Sequence, residues 1–522
     1  MTETGEIETS REKLPARDHN GNEEKKECSK WRQAAPQVCA VMAKNLLLLT
    51  FGSTLGFPTI LLPALQKDDP DIPVTKDDIT WISSINLFAV PLGCLVSGPL
   101  SQYLGRRKTM LISNIPFIAS WVILHYATNS AMMFIALSLT GLTGGLTEAP
   151  VLTYVAEVTQ PHLRGMLAAT STMSVILGIF TQLLTGSLTD WRTACLINLT
   201  YPILCFVTLA IVPESPYWLA GKKKIGEAEK SLRWLRGWVP PSNVREELQL
   251  VIRATEHGPN DGDEKNNSQW NLSPFLRRTF AVPLMLVSLV FFLAAFGGSA
   301  TLQTFAVSIF EKVEVPMNKY TATVILGVAE LLGTATCVAS IHFVGKRRLN
   351  WASISGTGLC FFGSAIYIYL LELKAIERAV YSWIPTTFLI GSAFISHMGI
   401  RQLAWILAGE VFPAKIRSSA TGIAAAISYI FMSVINKIFL YMVDAMGLSG
   451  TFLFYAGMNL VGGVTLYLTL PETEGRTLKE IEEHFAGIQS LKHKPKKDGL
   501  GNKEKWATAN PAMVLDDVES KL

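Results

Sequence analysis

Ala156-Glu157-Val158-Thr159-Gln160-Pro161-His162-Leu163-Arg164-Gly165 is a phrase this chain uses twice. The second version reads Gly409-Glu410-Val411-Phe412-Pro413-Ala414-Lys415-Ile416-Arg417-Ser418. Each has Glu-Val, a nearby Pro and an Arg seven residues beyond the Glu, and each closes one apolar segment and opens the next. A second pair runs in parallel, Leu104-Gly105-Arg106-Arg107-Lys108 and Val344-Gly345-Lys346-Arg347-Arg348. The copies lie roughly 240–250 residues apart, too far for a solenoid period and suited to two related half-domains.

Of 522 residues, 49% are hydrophobic and 17% charged, too apolar a balance for ordinary soluble domains. The charges crowd into the first 35 residues, a central block near 214–279, the end after 471 and short basic knots. The net charge of +4 is small and says nothing about nucleic acid; with no aromatics interleaved, the basic clusters read as cytoplasmic markers, and no nucleic-acid partner is expected. The seven cysteines form neither a CxxC nor a His/Cys cluster, so neither a disulfide framework nor a metal site is indicated. The N-terminus lacks the apolar core of a cleaved signal, so the first hydrophobic helix is expected to target the chain.

A spanning helix needs about 20 mostly apolar residues. Twelve candidates are centred on 38–60, 80–103, 108–128, 131–155, 163–187, 193–212, 280–310, 319–343, 350–371, 381–409, 418–443 and 450–470. The chain thus reads as an all-α membrane protein with twelve transmembrane helices in two six-helix halves. Expected divisions are a disordered tail (1–35), an N-terminal half (36–213), a linker with surface helices (214–279), a C-terminal half (280–470) and a second tail (471–522). The basic knots should face the cytoplasm, and the acidic loop Lys67–Asp78 the outside. Both termini are then cytoplasmic, and the bilayer is an obligatory partner. Within the linker, Ile225, Ala228, Leu232 and Leu235 fit an amphipathic helix lying on the membrane surface, and Val244–Thr255 a second helix. The run His257–Ser268 has no periodicity and reads as a flexible connection.

Three further motifs give these features a family likeness: Gly105-Arg106-Arg107-Lys108, Pro213-Glu214-Ser215-Pro216, and Pro471-Glu472-Thr473-Glu474-Gly475-Arg476-Thr477-Leu478-Lys479-Glu480-Ile481-Glu482-Glu483-His484-Phe485. Together with the paired Glu…Arg phrases they resemble the sugar porter family of the major facilitator superfamily, over about residues 36–486. The long central loop looks most like that of insect facilitated trehalose and glucose transporters. The resemblance implies the major facilitator fold and facilitated passage of a sugar, of the trehalose or hexose class, across the plasma membrane by alternating access. It implies no cofactor.

Two residue sets follow. Exposed or half-exposed ion pairs contribute only about 0–1 kcal/mol each, so several of them can hold a state without trapping it. A cytoplasmic gating network between the halves is expected from Arg106, Arg107, Glu157, Arg164, Glu214, Arg347, Glu410, Arg417 and Glu472. One family position departs: Leu137 stands where sugar porters carry an Arg in the fourth helix. At the substrate site the departures are larger. The amides that hold sugar hydroxyls in the family are replaced by Thr172, by Ala294-Ala295 with Ala300, and by Ser428-Tyr429. The tenth-helix Gly-Pro-Gly-Pro run has become Gly399-Ile400-Arg401-Gln402, with Trp405 retained. Orphaned polar partners cost about 1–3 kcal/mol each, which argues against an unaltered glucose site.

Ionisable residues have been gained. Glu148, Glu330 and Arg401 fall within spans, where a charge costs about 2.5–3.5 kcal/mol or more and usually faces water, a partner or a substrate. His397 lies one turn before Arg401. The expected substrate-binding set is therefore Glu148, Thr172, Gln303, Glu330, His397, Arg401, Trp405 and Tyr429, with a Glu330–Arg401 structural pair as the bland reading. Thr54 stands where proton-driven relatives carry an Asp, which favours facilitation, with a membrane carboxylate at Glu148 or Glu330 acting as a proton relay as the other reading. Lys44 and Lys437 lie near helix ends and are expected to snorkel. The isolated glycines read as packing positions. Two alternatives stay open: the same machine carrying a non-sugar organic solute, and a transporter-like nutrient sensor. No nucleophile–base pair, metal cluster or phosphate-cradling loop suggests an enzyme.

Overall fold

The computed structural model describes residues 30–67, 71–256, 278–373, 382–412, 416–474, 476 and 478–488. The expected flexible run 257–268 and most of both tails lie outside these residues. The N-terminal half comprises α1 (Lys30–Leu65), α2 (Lys76–Ile82), α3 (Ile85–Leu104), α4 (Arg106–His125), α5 (Ser130–Val158), α6 (Pro161–Leu188) and α7 (Trp191–Ile211). Three short helices follow: α8 (Pro216–Gly221), α9 (Ile225–Leu235) and α10 (Pro241–Glu256). The C-terminal half comprises α11 (Arg278–Phe296), α12 (Ser299–Thr304), α13 (Ala306–Val313), α14 (Lys319–Val344), α15 (Lys346–Glu372), α16 (Trp383–Met398), α17 (Ile400–Glu410) and α18 (Arg417–Thr469). The helix α19 (Leu478–Ala486) ends the described chain.

Ten helical stretches among the described residues are long and apolar enough to cross a membrane, with α2–α3 and α16–α17 each counted once. Two more crossings lie in α18 and α4. At 53 residues α18 would be about 80 Å long, far beyond a hydrocarbon core of about 30 Å, and it breaks at Gly447 (φ 73, ψ 174) into two helices. The other is α4, whose 20 residues suffice in length but open on Arg106-Arg107-Lys108 and bury Ser113, Asn114 and Ser120. Twelve crossings result, six in each half. The seventh is broken at Gly298 (φ +91), where a Cβ would strike the Tyr455 ring at 2.6 Å, and the tenth at Gly399.

Within the N-terminal half α3 packs on α5 and α1 on α6. Backbones touch there: a Cβ on Gly93 would lie 2.1 Å from the Leu142 carbonyl oxygen, and one on Gly145 2.1 Å from that of Val90. In the C-terminal half α15 packs on α16 and α18, and α14 on α16. The halves meet through α3 with α18, α6 with α14, and α1 with α12 and α13.

The two ends of the bundle differ. At the acidic-loop end one apolar cluster draws on both halves, joining Phe57, Ile60 and Leu61 to Phe305, Phe310 and Phe439. At the basic-knot end the cores separate. One centres on Val41, Leu47, Tyr154 and Val158, with Ala425, Tyr429, Trp405 and Met432 the other half's contribution. The other holds Phe280, Leu407, Phe412 and Ile481.

The linker corrects one expectation. Most of the apolar stripe of α9 is spent on neighbouring helices: Ala228 and Leu232 form a small core with Leu219, Val239, Val244 and Val251, Leu235 joins the core of the N-terminal half, and Ile225 stays exposed. Periodicity alone shows that a helix has an apolar partner, and here the partner is protein.

Candidate functional site

At the basic-knot end the duplicated sequence becomes duplicated geometry. Helices α4 and α15 both have a glycine N-cap, Gly105 (φ 103) and Gly345 (φ 87), with no side chain to satisfy the first backbone N–H groups. A distant carboxylate does so instead. Glu214 accepts from the backbone N–H of Arg107 (2.9 Å), Lys108 (3.4 Å) and Ser215 (3.0 Å). Glu472 accepts from those of Lys346 and Arg347, both at 3.1 Å. A negative group at a helix N-terminus also meets the positive end of the helix dipole.

Each cap continues into an ion pair on the repeated Glu. Arg106 grips Glu157 with two bonds, Nε to Oε2 at 3.1 Å and Nη2 to Oε1 at 2.9 Å, and the Ser215 hydroxyl donates to the same carboxylate. Lys346 Nζ reaches Glu410 at 2.6 and 2.9 Å and Glu474 at 3.0 Å, while the Thr473 hydroxyl donates to Glu410 at 3.1 Å. Arg107 donates to the Leu209 and Ala210 carbonyls at 2.8 and 2.5 Å; Arg347 donates to the Tyr467 carbonyl and stands over the Tyr467 ring. These bonds run within a half. The structure thus brings Arg106, Arg107, Glu157 and Glu214 into one clamp and Arg347, Glu410 and Glu472 into another. Arg164 donates to the Thr159 carbonyl at 3.4 Å. The side chain of Arg417 lies outside what the structure describes.

Between the two ends lie the polar groups expected at the substrate site. Glu330, on α14, is 1% exposed and accepts from Gln303 Nε2 at 3.1 Å. Arg401 is partly exposed in the first turn of α17, just past the Gly399 break. Among the described contacts no ion pair or hydrogen bond joins Glu330 to Arg401; the contact made by the Glu330 carboxylate is with Gln303. Neither turns toward lipid as a fully exposed side chain. His397 is wholly buried, with Nδ1 2.9 Å from the Ala393 carbonyl oxygen and Nε2 without a hydrogen-bond partner. The break at Gly399 removes the continuous helical turn expected between His397 and Arg401. Glu148, partly exposed on α5, accepts from the Tyr429 hydroxyl of α18 at 3.2 Å, a bond between halves. Tyr429 packs against Phe51 and against Trp405, which is itself edge-on to Phe291 at 4.9 Å. Thr172 is half-buried on α6.

Lys44 overturns the snorkelling expectation, while Lys437, about a quarter exposed, does reach the wet end of the bundle. Lys44 is fully buried and donates to Ser171 Oγ at 2.5 Å. Lys437 crosses to the other half, donating to Thr80 Oγ1 at 2.6 Å. Sequence reading also passed over Ser215 and Thr473. Their signal was present, since Pro-Glu-Ser and Pro-Glu-Thr stand in matching places after the last helix of each half.

Comparison with known proteins agrees with this geometry. Residues 17–485 match the family model described as Sugar (and other) transporter. The facilitated trehalose transporter of Apis mellifera ligustica is 28% identical over 452 residues, covering 86% of this chain and 88% of the relative. That of Bombyx mori is 28% identical over 447 residues, covering 85% and 86%. Among solved structures, the partially occluded inward-open xylose transporter of E. coli superposes with a TM-score of 0.70 at 17% identity, covering 85% of this chain and all of that one. The same transporter bound to 6-bromo-6-deoxy-D-glucose gives 0.68 at 20% identity. The fold is thus the twelve-helix major facilitator fold, and the chain is a membrane transporter belonging to the sugar (and other) transporter family.

Proposed function

We propose that this protein carries a sugar of the trehalose or hexose class across the plasma membrane by alternating access, without an ion gradient. Both termini and both clamps face the cytoplasm, as the Lys and Arg content of the short loops requires. One observation carries the reading. The halves are bonded to each other at the acidic-loop end, each half is bonded to itself at the basic end, and partly exposed polar groups lie between. That is a rocking pair of bundles shut on one side. When the basic end closes, the two clamps become the rigid faces that meet, with Arg164 and Arg417, the cations that follow the Glu in the two repeated phrases, as the bridges expected between them. The sugar class rests on the relatives named trehalose transporters.

A second reading has an observation of its own. Gln303 spends its amide on Glu330, and Arg401 adds a cation where a polyol site needs paired donors and acceptors. This favours a solute with a charged or strongly polar group. Uptake in oocytes of trehalose, glucose and a panel of charged solutes, with and without a pH gradient, separates the readings. Saturable trehalose or glucose uptake, indifferent to the gradient, is the expected result. Uptake confined to charged solutes would replace the sugar, and gradient-driven uptake would remove facilitation. In the same assay Glu330→Gln and Arg401→Gln are each expected to lower uptake about ten-fold, near 1.4 kcal/mol. Recovery of wild-type uptake in the double variant would make the two residues a structural couple.

A further inference from the structure

At the acidic-loop end one stripe of α18 reaches from the C-terminal half into the other. Lys437 Nζ donates to Thr80 Oγ1 at 2.6 Å, lies 3.8 Å from Asp77 Oδ1 and stands 4.2 Å over the Trp81 ring. One turn further, Tyr441 donates to the same Asp77 carboxylate. Another turn on, Asp444 pairs with Lys76, whose ammonium sits 5.3 Å over the Tyr441 ring. Positions 437, 441 and 444 share one face of α18, as 76, 77, 80 and 81 share one face of α2. A capping box between Thr75 and Asp78 fixes the start of α2, so this acidic segment is a built helix and not a loose loop.

One residue before Lys437, on the adjoining face of α18, the helix touches the interior. Asn436 Nδ2 donates to the Ser83 carbonyl at 3.4 Å and to Thr304 Oγ1 at 3.1 Å. Thr304 ends the six-residue helix α12. Its neighbour Gln303 accepts from Thr59 at its carbonyl (2.9 Å) and holds Glu330 with its amide (3.1 Å). A path of five residues therefore runs from Glu330 through Gln303, Thr304 and Asn436 to Lys437, two of its links being side-chain hydrogen bonds and two the peptide bonds 303–304 and 436–437.

We propose that Lys437, with Asp77 and Tyr441, locks the two halves together at the acidic-loop end, and that the Asn436–Thr304 contact lets cargo in the central site release the lock. The proposal rests on the alternating-access reading. Its physical basis is that each bond is weak and wet, with Lys437 about a quarter exposed and Asp77 largely exposed, so the set holds a state and yields readily. Cargo that competes for the Glu330 carboxylate frees Gln303, and with it the short helix that Asn436 holds.

The test uses the full chain carrying Ala300→Cys, in intact oocytes and in inside-out membrane vesicles, labelled from each face by a membrane-impermeant maleimide. The chain without Ala300→Cys is the blank. Lys437→Gln and Asp77→Asn are each expected to raise labelling from the acidic-loop face by about three-fold or more and to lower it from the other face. The exchange Lys437→Asp with Asp77→Lys should restore part of the wild-type pattern, since it returns the ion pair without the contact to Trp81. Unchanged labelling in both single variants overturns the lock. Saturating trehalose should raise acidic-face labelling in the wild type and fail to do so in Asn436→Ala; a response that survives in Asn436→Ala overturns the coupling. No trehalose response in the wild type overturns trehalose as the cargo, and the single variants then decide the lock alone.

Discussion

The two clamps at the basic end are copies of one device, built with unequal parts. In the N-terminal clamp an arginine fork meets Glu157 with two bonds, and Glu214 is 9% exposed. In the C-terminal clamp a lysine shares its single charge between Glu410 and Glu474, and Glu472 is more exposed. A guanidinium fixes both distance and plane, whereas an ammonium on a flexible stem fixes only distance. The helix cap, the hydroxyl on the repeated Glu and the arginine on the last carbonyls of the half are kept in both copies. Duplication has preserved what ties three segments of each half together and has let the stiffness of the tie diverge.

The largest expected effect lies in the capping carboxylates. Glu214→Ala orphans three backbone N–H groups in a nearly buried setting, and a bond to a charged acceptor contributes about 1.5–3 kcal/mol. A loss of about 3 kcal/mol is expected, against about 1–2 kcal/mol for Glu472→Ala, where water reaches the freed groups. Thermal unfolding of the purified protein in detergent, followed by tryptophan fluorescence, measures both. Equal losses would show that the clamps do not differ in burial where it matters.

Next come the glycines those carboxylates lean against. A Cβ on Gly105 would sit 2.5 Å from Glu214 Oε2, and one on Gly345 2.9 Å from Glu472 Oε2, both at positive φ. Gly105→Ala is expected to cost about 2–3 kcal/mol and Gly345→Ala about 1–2 kcal/mol, from strain at φ > 0 plus the clash. The clash part is testable by itself. In a Glu214→Ala background Gly105→Ala should cost less than it does in the wild type, a coupling that a double-mutant cycle reads directly. Strict additivity would mean that backbone strain alone accounts for the glycine.

Much of this was legible in the chain. The Glu-Val…Arg phrases and the basic knots announced two related halves, and the apolar runs announced twelve spans. The same residues did not say with whom each Glu pairs. Glu214 lies 107 positions from Arg107, and only the folding of α4 against α7 brings them together. Linear position also misread the lysines. A lysine near a helix end is expected to reach for water, but Lys44 finds Ser171 across the α1–α6 seam, and Lys437, which does reach the wet end, also finds Thr80 in the other half. What lies opposite a side chain is a tertiary fact. The central site shows the same boundary: the mid-span placing of Glu330 and Arg401 was evident, whereas the Gln303 amide on Glu330 and the helix break beside Arg401 depend on Gly298 and Gly399 bending their helices.

The smallest and sharpest effect comes from exchanging the cations of the two clamps. Arg106→Lys keeps the charge and removes the fork, leaving Glu157 one ammonium bond and the Ser215 hydroxyl. About 1 kcal/mol of stability should be lost. Lys346→Arg should change stability by less than about 0.5 kcal/mol, because Glu410 and Glu474 both already lie within reach of the cation and the Thr473 hydroxyl remains in place. If lysine is kept in the C-terminal clamp for its looseness, Lys346→Arg should instead slow the cycle. Exchange of the proposed cargo, trehalose, across oocyte membranes would then fall while the unfolding midpoint stayed fixed. An unchanged exchange rate beside an unchanged midpoint would mean that the difference between the copies is drift, and that only the shared cap and hydroxyl matter to the clamp.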